Sequence, residues 1–177
     1  MNFLKAIIAI VAIGAAGYFV YHVYQVRQTA DLNNRASSLL EQGKFAQARD
    51  LLERASKKDP GNPVLWKNLG AAYEGLKDVV KAIEAYERSL ALNPAQTDVS
   101  DNLAILKKAI EVNNQRITEL QAKLKDKPED AQLLARIGSA YENLGEFARA
   151  IEMYERSLKA DPNQLEIRQR LDGLRKK

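Results

Sequence analysis

Apolar residues recur at three- and four-residue spacing along most of the chain, and the stripes come in pairs. Leu69, Tyr73 and Leu76 make one stripe; after a short break Ala82, Ile83, Tyr86 and Leu90 make the next. That is the pattern of amphipathic helices with one face turned to a core. The stretch therefore predicts two helices joined by a tight bend. Asn62 before Pro63 suits the start of the first, with an asparagine cap and proline at the first helical position. Gly43 and Gly145 stand at the corresponding bends of two further pairs. The expected fold class is all-α.

The pairs repeat. Residues 66–94 and 134–162 are identical at 14 of 29 positions, and the string YERSL returns unchanged. Four prolines fall at equal intervals, at positions 60, 94, 128 and 162. A fixed period of this length marks stacked supersecondary units. Trp66-x2-Leu69-Gly70-x2-Tyr73, followed by Ala82, Tyr86 and Pro94, resembles the tetratricopeptide repeat. Ile137-Gly138-x2-Tyr141, Ala150, Tyr154 and Pro162 match it again, and Ala36, Gly43, Phe45, Ala48, Ala55 and Pro60 keep a weaker copy. The resemblance implies an α-solenoid of about four helix pairs over 29–164, in repeats at 29–62, 63–96, 97–130 and 131–164. Residues 165–177 follow as a capping helix and basic tail, with Leu165, Ile167, Leu171 and Leu174 as its apolar positions.

The third repeat departs from the pattern. Arg116 and Lys123 stand where the family places small residues that let two helices approach, and only Asn113-Asn114 could mark a bend. The expectation is a degenerate, loosened helix pair, with one long helix as the alternative. Leu103, Ile110, Ile117 and Leu124 lie seven apart, as in a continuous coiled coil. Ile137, Leu144, Ile151 and Leu158 do the same in the fourth repeat, so the spacing does not discriminate. A loosened pair would hold Ile117, Leu120 and Leu124 less tightly.

Residues 1–28 read differently. The run Ala6–Val26 carries no formally charged side chain. At about 1.5 Å per residue it spans about 30 Å, the thickness of a bilayer core. Tyr18, Tyr21 and Tyr24 gather toward one end, as at a membrane interface. Hydrophobicity continues past Gly14, Ala15 and Ala16, which favours an uncleaved anchor over a signal peptide. The only histidine, His22, reads as an interfacial residue, or else as a polar group facing a partner helix. No proline- or Gly/Ser-rich linker separates the anchor from the first repeat. A short basic tail, with Lys5, precedes the apolar run, so the repeats are expected outside the cytoplasm, although Arg27 and Arg35 flank the other end.

Composition removes most chemistry. With no cysteine and a single histidine, common zinc sites and His-based triads are unavailable. No glycine-rich phosphate loop is present, and no cofactor or enzymatic activity is expected. Trp66, Tyr73, Tyr86, Tyr141 and Tyr154 occupy packing positions of the repeat. The net charge of +4 is well mixed, densest at Arg175-Lys176-Lys177, and lacks the concentrated basic face that nucleic acid binding needs.

What remains is what the resemblance implies: a groove, lined by the first helix of each pair, that takes a polypeptide segment. Lys67, Asn102 and Arg136 match three of the five positions of the family's two-carboxylate clamp, and Ala71 and Gln132 depart from the other two. Read one repeat earlier, only Asn68 matches. Lys67, Asn68, Asn102 and Arg136 are therefore the candidate groove residues for a segment other than a C-terminal carboxylate. The expected partners are proteins, as clients or as subunits of a membrane complex, with the bilayer itself contacted through residues 6–26. The expected role is a membrane-anchored interaction scaffold or assembly factor; the alternative is a permanent structural subunit of such a complex.

Overall fold

A computed structural model describes residues 2–176, with side chains from Gly14 onward apart from His22. The described residues form eight helices and no strand, an all-α fold of the solenoid class. They are α1 (Asn2–Glu41), α2 (Phe45–Lys58), α3 (Pro63–Gly75), α4 (Val79–Leu92), α5 (Thr97–Asp126), α6 (Ala131–Asn143), α7 (Phe147–Ala160) and α8 (Leu165–Leu174). They group into two compact units. One comprises the chain up to Leu76 together with Ala85–Gln96; the other comprises Lys77–Glu84 with the chain from Thr97 onward.

In the first unit α1 packs on α2 and α3, and α2 packs on α3. α1 is a single helix of 40 residues, so the boundary expected at residue 28 falls inside it. Gly43, at φ 70°, lets the chain turn back into α2. Ala36, Ala48, Leu52, Ala55, Leu65, Leu69 and Ala72 are buried. Asn62 caps α3 as expected, its side chain accepting from the Val64 N–H at 3.1 Å with Pro63 in the first turn. At Gly70 the Tyr86 ring lies so close that a Cβ would stand 2.5 Å from it, which only glycine permits.

In the second unit α5 packs on α6, α6 on α7, and α7 on α8. Tyr154 and Ala150 meet Leu171 and Leu174 of the cap, which closes the stack as expected. Leu165 does not join that core; it is 65% exposed.

The third repeat corrects the expected loosened pair. Residues 97–126 form one uninterrupted helix of 30 residues, α5, in agreement with the alternative. A bend would bring Arg116 and Lys123 against a neighbouring helix, where unpaired charge is costly. In a straight helix both stay exposed. The Asn113 side chain donates to the Ala109 carbonyl at 2.8 Å, within the helix rather than across a bend. Ile117 and Leu120 are buried, contrary to the expected loosening, and Ile117 packs on Ala140 and Leu144.

The expected membrane span lies partly outside the described side chains, which exclude Ala6–Ile13 and His22. Among the described residues no helix is long and apolar enough to cross a membrane.

Candidate functional site

The candidate faces are held in place by polar closures that recur from the second repeat to the fourth. Ser89 and Ser157, the serines of the two YERSL strings, are fully buried. Each donates to a carbonyl at the start of the preceding first helix, Ser89 to Pro63 and Ser157 to Ala131, both at 2.7 Å. Gln96 and Gln164 then donate to these hydroxyls at 2.9 Å. Buried hydroxyls require such partners, and here each one ties a second helix to the first helix of its pair. Tyr86 donates to Glu74, and Tyr154 to Glu142, both at 2.8 Å. Burial, and then the hydrogen bond to the Glu142 carboxylate, push the Tyr154 phenol up to about 12.

In the first unit, Lys67 and Asn68 share α3, and both are half-buried. The Asn68 amide donates to Asn33 Oδ1 at 2.8 Å and to Ser37 Oγ at 3.3 Å on α1. Its donors therefore first serve to dock α3 on α1. In the second unit, Asn102 on α5 and Arg136 on α6 are both exposed. One pair of candidates thus belongs to each unit. Arg170, one period after Arg136, extends the series into α8. It donates to Glu142 at 3.3 Å and to Glu166 at 3.1 Å.

Trp66 and Tyr141 are half-buried rather than fully packed. The Trp66 indole N–H donates to the Pro60 carbonyl at 2.9 Å, and Arg149 stacks over the Tyr141 ring at 5.6 Å. Tyr73, Tyr86 and Tyr154 are buried as expected. Among the described residues no group of three or more His, Cys, Asp or Glu side chains could hold a metal ion.

A tetratricopeptide repeat model matches residues 33–97, and a second model of the same repeat matches residues 131–164. Together they cover more than half of the chain. The chain belongs to the tetratricopeptide-repeat family. The single helix α5 lies between the two matched segments, apart from its first residue. No curated protein matches this tetratricopeptide-repeat chain in sequence. Among solved structures it is similar to the first repeat domain of Spaghetti (RPAP3) bound to the HSP90 peptide SRMEEVD, with 23% identity over 85% of this chain and 92% of that one and a TM-score of 0.39. MamA of strain AMB-1 is 26% identical over 84% of this chain and 81% of that one, with a TM-score of 0.44. MamA from Desulfovibrio magneticus RS-1, from residue 41 to its end, is 20% identical over 83% of each chain, with a TM-score of 0.45.

The repeat period did carry a signal for the closures that sequence reasoning missed. Gln96 and Gln164 sit seven positions after the two repeated serines, and Glu74 and Glu142 sit twelve before the repeated tyrosines.

Proposed function

We propose that this tetratricopeptide-repeat protein is a membrane-held adaptor that keeps polypeptide partners at a bilayer surface, as an interaction scaffold or assembly factor. The observation that carries the reading is α1. Its stretch Phe19–Val26 exposes Phe19 (67%), Val20 (67%) and Tyr21 (61%), and then Val23, Tyr24 and Val26. A helix apolar on every side needs an apolar environment. The same helix, without a break, supplies Asn33 and Ser37 to the first repeat. Anchor and binding module are therefore one element. The full chain should stay with membranes through alkaline carbonate washing, and release by carbonate would refute the anchor.

The repeats lie outside the cytoplasm in this reading, since Lys5 and the amino terminus precede the apolar run. Arg27 and Arg35 oppose that orientation, which makes it worth testing directly. Protease added to spheroplasts should digest the repeats; protection until the inner membrane is lysed would place them in the cytoplasm.

Lys67, Asn68, Asn102 and Arg136 are the residues assigned to partner binding. An extended peptide exposes backbone carbonyls and acidic side chains; Lys67 and Arg136 offer cations to these and Asn102 an amide, while Asn68 holds the face through its bonds to α1. A charge-assisted contact contributes roughly 1.5–3 kcal/mol, so Lys67→Ala/Arg136→Ala should weaken binding to a co-purifying partner by at least about tenfold. Full helicity with unchanged affinity would move binding to another face. Recovery of one stoichiometric partner set after mild detergent extraction would instead indicate a permanent subunit.

A further inference from the structure

The first unit carries a cationic cleft beside the exposed apolar stretch of α1. α2 runs back along α1, so its last turn lies next to the end of the apolar run, and Lys58 donates to Gln28. A cleft of about 490 Å³ opens there, with Arg27, Arg54 and Lys58 on its walls and Tyr24 and Leu32 as its apolar part. That volume lies within the range of small-ligand sites. A second cleft, of about 410 Å³, shares Lys58 and adds Lys57, Tyr18 and Tyr21. Two acids are near. Asp31 in the first cleft faces Arg35 at 3.8 Å, and Asp59 borders the second. Among the described residues no acid pairs with Arg27, Arg54, Lys57 or Lys58.

We propose that this cleft binds the phosphate of an anionic phospholipid in the leaflet nearest the repeats, with the acyl chains lying along the apolar surface of α1. The inference rests on the anchor reading. Two features select a lipid over a soluble phosphate. The cations share their clefts with Tyr18, Tyr21, Tyr24, Val26 and Leu32, an amphiphilic lining that an inorganic anion does not need. The three tyrosines mark the same level of the helix as the lysines, as interfacial aromatic and basic side chains do. Folding α2 against α1 thus brings Arg54, Lys57 and Lys58 to a surface that sequence distance alone would not place them on.

The test uses the full chain in detergent micelles doped with equal amounts of phosphatidylglycerol and phosphatidylcholine, with bound lipid read by native mass spectrometry. The expected result is one retained phosphatidylglycerol, favoured over phosphatidylcholine by at least about tenfold, as a few paired cations provide. Arg54→Gln/Lys58→Gln alters two side chains of the cleft wall and should keep the helical circular dichroism while losing that preference. Equal retention of both lipids overturns the proposal and leaves the anchor standing. Displacement of the lipid by millimolar inorganic phosphate makes the cleft a free-anion site and also overturns it. A chain that elutes without a micelle overturns the anchor reading, and the lipid site falls with it.

Discussion

Position 77 shows how a single residue can work against the repeat. Gly43 and Gly145 turn their bends at φ 70° and 73°, and Lys77, one period after Gly43, does the same at φ 62°. A side chain in the left-handed region costs about 1–2 kcal/mol. Lys77→Gly should therefore raise the urea midpoint, by an amount equivalent to roughly 0.5–1 kcal/mol once the flexibility of glycine in the unfolded chain is counted. The lost Lys77–Glu142 contact, at 4.0 Å with the lysine largely exposed, subtracts little. Gly145 is the opposite case: a Cβ there would overlap the Lys77 carbonyl oxygen, so Gly145→Ala should destabilise the second unit. The two glycines were legible as bends. Lys77 was not, because nothing local in a lysine announces a positive φ. Tyr154 gives a pH signature. Its phenol is held up to about 12 in the fold, against an ordinary value near 10. The folded state thus keeps a proton that the unfolded chain gives up, and that contribution is intact below pH 10 and lost as pH rises to 12. Tyr154→Phe should be less stable than the parent at pH 8, and the gap should close between pH 10 and 12. A gap constant across that window would mean that the fold does not hold the Tyr154 phenol above its ordinary value.

Among the elements, α5 was the hardest to read, for a physical reason. Its apolar stripe, with Val99, Leu106, Ile117 and Leu120 buried, recurs at the same spacing whether the chain bends or runs straight. The decision rests on a few positions: Glu111 where the other repeats have Gly43, Lys77 and Gly145, and the exposed Arg116 and Lys123. If the straight helix is the native state, Arg116→Ala/Lys123→Ala should change stability by no more than about 0.5 kcal/mol. Glu111→Pro, by contrast, should cost about 3 kcal/mol or more, because it breaks the helix in its middle. Amide exchange through residues 108–118 should be as slow as in α6. Fast exchange confined to that stretch would favour a hinge. The other paired helices were easier to read, since Asn62 caps α3 and Gly145 turns the chain between α6 and α7.

At the scale of the whole molecule, the sequence carried the repeat family and the charge-free run, while the continuity of α1 needed the fold. That continuity gives the protein a bearing. A helix advances by about 100° and 1.5 Å per residue, so the direction in which α1 presents Asn33 and Ser37, and through them Asn68 of α3, is set by the number of residues below them. With α1 anchored as proposed, one alanine inserted after Ala16 should swing that face about a quarter turn around the bilayer normal, whereas seven alanines should restore it to within about 20° and lift it by about 10 Å. A partner fixed in the same membrane would lose contact with the first variant and regain it with the second. A freely diffusing partner would bind both alike, so residue count along one helix becomes an angular gauge of the proposed partner's attachment.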